Sequence, residues 1–381
     1  MKKITVVNKY KHTPTNFDFP IGRENPKFGN PFPKKTLAND RDVAVALFLR
    51  HFLERLPAFD KMLAPIRDSN NDSNLVCYCA PKKCHGDIYK SYIEFSRNLM
   101  PGLSPILEFR ALHGYVSPVM NEGVDHINIY SGSRLPLGRM LSNFYRSPFE
   151  LDGFGKFESM EGFWFYLATG CEHDKFKSLW GFEAKAEGKK IPRKFIDGFD
   201  DIIDKAVRAK LDQNPKIQEA LKESNLPFEH YYWYGTPTNA LITRSDHRFI
   251  ETIHDYRSRL IGAKRTVIAG SRDIKDLDLV KKAIIDSGFK ISTVISGLAQ
   301  GVDIISYVWA KSHFIETEDY PVTKEDWEKS KAAGHIRNAE MNKVAEQGVI
   351  LIKANSSGSE GMLNLMTKSN KPVHLVRIPG Y

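Results

Sequence analysis

Apolar residues recur with two different periods along the chain, and the two alternate most clearly between residues 264 and 381. Short apolar runs such as RTVIAGS, ISTVISG and VILIKA have the length of buried strands. Between them lie segments with helical spacing, such as DLDLVKKAIIDSG and IISYVWAKS. Strands that alternate with helices predict a parallel, doubly wound sheet. We therefore expect residues 264–381 to form an α/β domain.

The pattern divides the rest of the chain into two further domains. Residues 1–97 begin with the strand-like run ITVV, continue through a loop rich in Pro, Gly and Asn, and show helical spacing in DRDVAVALFLRHFLERL. Residues 122–262 combine the strand-like runs HINIYSG and EHYYWYG with a buried helix in SMEGFWFYLATG and a helical region that Pro215 interrupts. We expect a multidomain α/β and α+β protein, with a small α/β domain at 1–97, a linker at 98–121 and an α+β domain at 122–262.

Composition narrows the class of protein and of partner. The 381 residues exceed the usual size of one core, and the apolar content of 41% supports folded domains. The net charge of +9 suits an anionic partner such as a nucleotide or a nucleic acid. We find no apolar run long enough to cross a bilayer, no signal peptide and no disulfide framework among the four cysteines, so we expect no membrane contact and a cytoplasmic protein.

Three loops at the predicted strand ends of residues 264–381 are candidates for a nucleotide site. They are AGSRD (269–273), SGLAQGVD (296–303) and SSGSEGM (356–362). Gly lets the backbone approach a phosphate, helix N-termini attract it, and Arg272 adds a cation. Ordinary β–α turns also favour Gly and Ser, so this alternative stays open. The chain has no P-loop motif, which argues against a P-loop NTPase.

These loops, with Asp326-Trp327, Arg337-Asn338 and Gly361-Met362, resemble the SLOG superfamily, particularly its YspA-like branch. The resemblance implies a Rossmann-like domain that binds nucleotides or ADP-ribose-like ligands. Leu298 and Gln300 replace a Gly and an Arg of the family pattern, which favours binding over catalysis. The residues that the resemblance assigns to nucleotide binding are Gly270, Ser271, Arg272, Ser296, Gly297, Gly301, Asp303, Arg337, Asn338, Gly358 and Ser359.

One carboxylate, Glu161, lies at the start of an aromatic helix in residues 122–262. Trp164 and Phe165 follow at i+3 and i+4, so they share its face. A carboxylate against aromatic rings is desolvated, which raises its pKa and suits it to acid–base catalysis. The alternative is a Glu placed by the helix dipole, with rings that only fill a core. Lys185 and Lys189 are candidate phosphate ligands.

The order of motifs around Glu161 resembles a NADAR domain over roughly residues 125 to 235. The matching elements are Leu141-Ser142-Asn143-Phe144, Asp152-Gly153, Glu161, Ala184-Lys185 with Gly188, and Lys210 with Gln213-Asn214. The resemblance implies hydrolysis of N-glycosidic bonds in riboflavin-pathway intermediates or in ADP-ribosylated guanine. It assigns Glu161 as the catalytic acid/base, and Asn143, Phe144, Asp152, Trp164, Lys185 and Arg193 as substrate-binding residues. Such hydrolysis requires no cofactor or metal.

Three cysteines crowd into CYCAPKKCHGD of the first domain. Cys77, Cys79 and Cys84 are weak candidates for a zinc site, because their spacing is not that of a paired C-x2-C site. They are also explained as small buried residues, or as part of a ligand or redox site. This signature and a Gly-Asn-Pro-Phe loop resemble a small uncharacterised domain common in phage and bacterial genomes. We predict Arg23, Asn30 and His85 as residues of its pocket.

Taken together, these patterns predict an N-glycosidase that acts on an ADP-ribose-linked or related nucleotide substrate. The expected partners are a nucleotide or an ADP-ribosylated small molecule or nucleic acid, with an ADP-ribose-like ligand and homo-oligomerisation as options. We expect a phage or mobile-element origin and action in the host cytoplasm. The alternatives are a non-catalytic binder that sequesters or senses a nucleotide signal, and a binding protein associated with DNA modification or repair.

Overall fold

A computed structural model describes residues 2–245, 247–353 and 356–379. It is a mixed α/β protein with several parallel sheets, as the pattern predicts for a multidomain α/β chain. Within the described residues, no helix combines the length and the apolar character needed to cross a membrane. The boundaries predicted for the domains remain predictions, and each region is described below.

The first region is built on a small three-stranded parallel sheet of order β1-β3-β2. Phe48, Phe52 and Tyr89 of the surrounding helices form an aromatic core against it. The predicted linker forms two short helices. The elements are β1 (Ile4–Asn8), β2 (Asp18–Pro20), a 3-10 turn (Lys34–Thr36), α1 (Arg41–Glu54), α2 (Leu56–Arg67), β3 (Ser73–Cys77), α3 (His85–Arg97), α4 (Pro105–Leu112) and α5 (Pro118–Asn121).

The central region packs helices around short strand pairs. The elements are β4 (Ile127–Asn128), α6 (Pro136–Leu141), β5 (Phe149–Leu151), β6 (Gly155–Phe157), α7 (Met160–Ala168), α8 (Gly181–Gly188), α9 (Phe199–Asp212), α10 (Pro215–Lys222), β7 (Phe228–Glu229), β8 (Tyr231–Tyr234), β9 (Leu241–Arg244) and α11 (Phe249–Leu260). The break at Pro215 is confirmed. The strand predicted in HINIYSG is only two residues long, because the Asn128 side chain exchanges two hydrogen bonds of 3.0 Å with the backbone of Tyr231.

The last region contains a five-stranded parallel sheet of order β12-β11-β10-β13-β14. Side chains of β10 alternate between two apolar layers, with Ile268 in one layer and Val267 and Ala269 in the other. The elements are β10 (Lys264–Gly270), α12 (Leu277–Asp286), β11 (Ile291–Ser296), α13 (Val302–Ser312), β12 (Glu316–Asp319), α14 (Lys324–Lys329), α15 (Ala333–Val344), β13 (Gln347–Lys353), α16 (Ser357–Lys368) and β14 (Val373–Ile378). The pattern missed β12 and α14, although Thr323 and Asp326 form a capping box at the start of α14.

Helix α1 joins the first region to the last. Its apolar residues Val43, Ala44 and Leu47 pack into the same cluster as Ile268 and Val349 of the five-stranded sheet. This packing places the first turn of α1 beside the loops that follow β10 and β11. The two regions therefore share one apolar core, in which α1 covers part of the sheet.

Arg110 of α4 ties the first region to the central one. Its guanidinium is 3% exposed and donates hydrogen bonds to the Leu53 carbonyl, to the Asn239 side chain and to the Ala240 carbonyl, all between 2.7 and 2.9 Å. A buried guanidinium needs such partners to offset its desolvation. The predicted linker thus carries buried contacts between two regions.

Candidate functional site

A cavity of about 670 Å³ in the central region brings together most of the residues that the sequence singles out there. This volume lies in the usual range for small-molecule sites. Six of the seven residues predicted for catalysis and substrate binding line it, and so does Lys189. The six are Asn143, Phe144, Glu161, Trp164, Lys185 and Arg193.

Local backbone contacts fix Glu161 at the cavity wall. Ser159 is the N-cap of α7, and its hydroxyl accepts a hydrogen bond of 3.0 Å from the Gly162 N–H. The Glu161 N–H donates to the Asn143 carbonyl at 2.9 Å, which ties the two motif segments together. A Cβ at Gly162 would meet the Phe176 carbonyl at 2.4 Å, so only Gly fits there. The Ser-x-Glu-Gly sequence is therefore the local requirement for this placement.

Burial controls the protonation of Glu161. Desolvation raises the pKa of its carboxyl from 4.5 to about 7, and the Lys185 and Arg193 cations oppose the rise. No hydrogen bond to a described residue contributes to the shift. The side chain is partly exposed to the cavity rather than sealed in the core. Near neutral pH the group is therefore divided between its acid and base forms, as acid–base catalysis requires.

Cations and rings are paired along the wall that contains Glu161. The Lys185 ammonium lies 5.1 Å from the Phe144 ring centre, and the Arg193 guanidinium lies 4.7 Å from that of Phe165. Arg193 also donates to the Gly188 carbonyl at 2.8 Å. A Cβ at Gly188 would meet the Phe165 ring at 1.9 Å, so helix α8 approaches α7 only because this residue is Gly.

A second set of lining residues, here called the second wall, was not predicted from the sequence. It consists of Tyr130, His230, Tyr232, His247 and Phe249. Burial, followed by the Glu161 carboxyl, raises the pKa of Tyr232, and this coupling links the two walls. The alternating pattern of EHYYWYG predicts a strand there, which the structure shows as β7 and β8. Which side chains of these strands face the cavity depends on the tertiary fold.

His230 is the most buried polar group of that wall, with 6% exposure. Its Nδ1–H donates to the Ile129 carbonyl at 2.6 Å, and burial lowers its pKa to about 4. The imidazole is therefore neutral, and Nε2 is left as a hydrogen-bond acceptor. Within the described residues, Nε2 has no hydrogen-bond partner.

Lys210 supports the Asn143 segment from behind. It is 2% exposed, and its ammonium donates to the carbonyls of Leu141 and Ser142 at 3.3 and 3.0 Å. Burial lowers the pKa of this lysine to about 7. The family resemblance pointed to Lys210 without assigning a role, and its contacts make it a positioning residue.

Asp152 does not line the cavity, which corrects its prediction as a substrate-binding residue. It lies in the exposed turn between β5 and β6, where Gly153 has φ 80°. The Asp-Gly pair is there because a turn needs Gly at a positive φ. The Gln213 side chain exchanges two 2.8 Å hydrogen bonds with the Glu150 backbone, so this motif residue holds the hairpin.

The nucleotide-binding residues predicted in 264–381 do lie together at the carboxyl edge of the five-stranded sheet, but they mostly bond to one another. The Gly270 N–H donates to Asp303 at 3.3 Å, and Arg337 approaches the same carboxylate at 3.6 Å. The Ser271 hydroxyl accepts a hydrogen bond from the Lys353 N–H, and the Ser296 hydroxyl donates one to the Asp303 carbonyl.

The outer part of this edge is equally self-contained. The Asn338 amide donates to the Gly358 carbonyl at 3.1 Å, and Ser359 bonds to Ser356 at 2.7 Å. A Cβ at Gly297 would overlap the Arg337 side chain, which fills the space in front of it. Arg272 is exposed, and the adjoining positions 354 and 355 lie outside the described residues.

The first region also reaches this edge. Asp40, the N-cap of α1, is 3% exposed, and its carboxylate accepts a hydrogen bond of 3.2 Å from the Gly301 N–H. Lys275 pairs with the same oxygen. The sequence predicted Gly301 as part of a phosphate cradle. In the structure a carboxylate of the same chain holds that N–H.

A second cavity, of about 630 Å³, lies in the first region and contains the residues predicted there. Arg23, Asn30 and His85 line it, together with the three clustered cysteines. His85 donates from Nε2 to the Ile21 carbonyl at 2.7 Å, and the Asn30 side chain accepts from the Phe32 N–H at 2.8 Å. These two side chains therefore shape the walls.

The Cys-His-Gly-Asp sequence builds a helix start at the floor of that cavity. Cys84 is the N-cap of α3, and Asp87 accepts its N–H at 2.7 Å to complete a capping box. The Cys77 and Cys84 sulfurs are 3.6 Å apart. Among the described residues, no group of three His, Cys, Asp or Glu side chains is arranged to hold a metal ion, so the weak zinc candidates gain no support.

A third cavity, of about 710 Å³, lies where the three regions meet. Its charged groups are neutralised by one another. Arg244 pairs with Glu54 at 2.7 Å and with Glu229 at 2.8 Å, and Lys281 pairs with Asp125 at 2.6 Å. Such a network suits a structural junction between regions better than a binding or catalytic site, which needs charged groups that are free to contact a ligand.

Comparisons with known proteins concern the first region. The family model "Domain of unknown function (DUF4326)" matches residues 6–94. The uncharacterized 12.4 kDa protein in the nrdA-td intergenic region of Enterobacteria phage T4 is 38% identical over 86 residues, which make up 22% of this chain and 70% of that protein. The chain belongs to the DUF4326 family. Neither name assigns a function.

One solved structure is also similar. DNA processing protein A from Streptococcus pneumoniae is 15% identical, and the match covers 52% of this chain and 80% of that one with a TM-score of 0.26. A score this low carries no argument about fold or function. The DUF4326 match includes every residue that lines the 630 Å³ cavity.

Proposed function

We propose that the central region hydrolyses an N-glycosidic bond of an ADP-ribose-linked or related nucleotide substrate. The observation that carries this proposal is Glu161, a carboxyl with a pKa of about 7 on the wall of a ring-lined cavity of about 670 Å³. The order of motifs that resembles a NADAR domain supports it. The 670 Å³ cavity is large enough for a base and a ribose.

In the proposed reaction, ionised Glu161 removes a proton from water as the water oxygen bonds to C1′ of the ribose. The C1′–N bond breaks through an oxocarbenium-like state, and its electron pair leaves with the base, which takes up a proton. The carboxylate also stabilises the developing positive charge on the sugar. No metal or redox cofactor takes part in this balance.

The walls suit the remaining parts of such a substrate. Lys185 and Lys189 form no ion pair with a described residue, so they can neutralise phosphate groups. The rings of Trp164 and Tyr232 offer flat surfaces for a base.

The five-stranded sheet supports a second part of the proposal, a Rossmann-like domain that binds a nucleotide. Its loops are arranged at the carboxyl edge, where such ligands bind. Because Asp40 and Asp303 already hold two of its N–H groups, binding there requires that these contacts change. The phage relative is consistent with an origin in a phage and with action in the cytoplasm of its host.

The test is to incubate the full chain with ADP-ribosylated guanine nucleotide, ADP-ribosylated DNA and NAD, and to follow release of the base. We expect turnover of at least one of them, and a loss of about a hundredfold or more in Glu161→Gln, since acid–base catalysis contributes on that order. Glu150→Gln is the matched control, because Glu150 is exposed on β5 and does not line the cavity.

Three outcomes contradict the enzyme. The first is full activity in Glu161→Gln. The second is no turnover of any substrate while a nucleotide raises the melting temperature, which leaves the non-catalytic binder. The third is tight DNA binding that weakens steeply with salt and no turnover, which favours a DNA-associated protein.

A further inference from the structure

The 630 Å³ cavity of the first region differs from the other two in charge. Among the described residues, six cationic side chains line it, and no Asp or Glu does. The six are Lys11, Arg23, Lys34, Arg41, Lys82 and Lys83. They come from five separate segments of the chain, so the fold rather than one basic run gathers them.

None of these six cations forms an ion pair with a described residue. The nearby carboxylates are already used elsewhere. Glu24 pairs with Lys9 and accepts from the Tyr78 hydroxyl, and Asp87 caps the Cys84 N–H. Asp40 pairs with Lys275 on the other side of α1. Like charges gathered around a concave surface repel one another, and a cleft with one sign of charge focuses its field on an anion.

The inner surface adds shape to this charge. Asn30, Cys84 and His85 are buried at its base, and Tyr78 presents a ring that is 39% exposed. The Arg41 guanidinium donates to the Lys83 carbonyl at 3.2 Å, which joins the start of α1 to the loop before α3. Buried residues at the start of α3 and mostly exposed cations thus line the same cavity.

We propose that this cavity binds a small ligand with two or more phosphate groups. Six cations exceed what one phosphate neutralises, and a volume of about 630 Å³ fits a molecule of nucleotide size. The Tyr78 ring is placed to stack on a base if the ligand has one. The site is separate from Glu161 and independent of the proposed hydrolysis.

One other use of the cations is stabilisation of a cysteine thiolate. Hydrogen bonds from the Cys77 and Cys84 thiols, and then the Arg41 guanidinium, lower the pKa of Cys79. One thiolate accounts for Arg41 but not for the other five cations. A nucleic acid strand is less suited, because the six cations surround one cavity of about 630 Å³, whereas the repeating phosphates of a strand suit an extended groove.

The experiment is calorimetric titration of the full chain with ADP, inorganic pyrophosphate and adenosine. The test variant is Arg23→Gln/Lys82→Gln, whose two side chains are exposed at the rim and make no described hydrogen bond. The control is Lys61→Gln/Lys90→Gln, which removes the same charge from α2 and α3 without touching the cavity. Melting temperatures check that each variant folds.

We expect ADP and pyrophosphate to bind and adenosine to bind far more weakly. The rim variant should bind ADP about tenfold more weakly or worse, and the control should bind it as the unaltered chain does. ADP tighter than pyrophosphate indicates that the base contributes, and equal affinity indicates that the phosphates suffice.

The proposal is overturned if neither anion binds at about 1 mM. It is also overturned if adenosine binds as well as ADP, if the rim variant binds unchanged, or if a short single-stranded DNA binds more tightly than ADP. Because this test reads ADP binding by the rim variant and the hydrolysis test reads base release by Glu161→Gln, failure here leaves the proposed hydrolysis intact, and failure of hydrolysis leaves this site intact.

Discussion

The central cavity and the basic cavity of the first region are nearly equal in volume, about 670 and 630 Å³, but they treat charge in opposite ways. The central one places the desolvated Glu161 carboxyl among rings, with cations on the same wall. Among the described residues, the basic one gathers six cations and no carboxylate. A buried acid with a raised pKa suits bond breaking, whereas unpaired cations suit holding an anion.

The carboxyl edge of the five-stranded sheet shows a third arrangement. There, Asp303 and Asp40 accept the N–H groups of Gly270 and Gly301, and the loops are largely satisfied internally. The glycines that predicted a phosphate cradle in this region serve contacts within the chain. Volume and glycine content therefore say less about a site than the presence of groups whose charge or hydrogen bonds are unpaired.

The first prediction tests whether the Glu161 carboxyl is desolvated, since this desolvation distinguishes the central cavity from the basic one. Folding raises the pKa of this acid from 4.5 to about 7, so the folded protein holds the proton more tightly than the unfolded chain. Ionising the buried carboxyl lowers the stability of the folded protein. This loss is absent below pH 4.5, grows as the pH rises and is complete above about 7. Glu161→Gln removes that loss, so its stability relative to the unaltered chain should rise by about 3 kcal/mol between acid and alkaline pH.

Urea unfolding at several pH values measures this difference. Glu150→Gln, with an exposed carboxyl, should show little change across the same range. For catalysis by the ionised form, the rate should rise with pH through about 7 and be lost below it. If the difference in stability between Glu161→Gln and the unaltered chain does not change with pH, Glu161 is solvated like a surface acid.

The second prediction concerns the packing that holds the cations of the central cavity in place. Gly188→Ala puts a methyl group 1.9 Å from the Phe165 ring, so α8 must move away from α7. Overpacking of this kind costs about 2 kcal/mol, and it should displace Lys185. Gly358→Ala is the control, since nothing lies within 4 Å of its added methyl.

Thermal unfolding and central-cavity activity measure this second prediction. Titration with ADP should show that binding in the basic cavity is unaffected. Equal melting temperatures for the two alanine variants would show that α7 and α8 leave room for a methyl group between Gly188 and the Phe165 ring.

The third and smallest prediction contrasts the salt dependence of the two cavities. Raising NaCl from about 50 to about 500 mM should weaken ADP binding in the basic cavity by about fivefold, because exposed cations are screened. Glu161 is desolvated, so the pH midpoint of central-cavity activity should move little. Calorimetry and a pH–rate profile at both salt concentrations check this pair. An ADP affinity that ignores salt would point to aromatic contacts in place of charge.

Sequence patterns predicted the elements that local rules specify. The strands and helices of 264–381 other than β12 and α14, and the break at Pro215, follow from periodicity and Pro. Six of the seven central site residues share one cavity because their motifs lie on α7, α8 and adjoining loops. Asp152 was misplaced, because an Asp-Gly pair indicates a turn whether or not a ligand is near.

What the sequence determined by itself is the set of segments and the chemistry that each one carries. Only the tertiary structure decided which side chains meet. It put Tyr130, His230 and Tyr232 in one cavity with Glu161, bonded Lys210 to the Ser142 carbonyl next to Asn143 and gathered six cations around another cavity. It also brought Asp40 to Gly301, across 261 positions of the chain. The physical reason is that periodicity and capping act over a few residues, while burial, desolvation and charge pairing depend on neighbours that are distant in sequence.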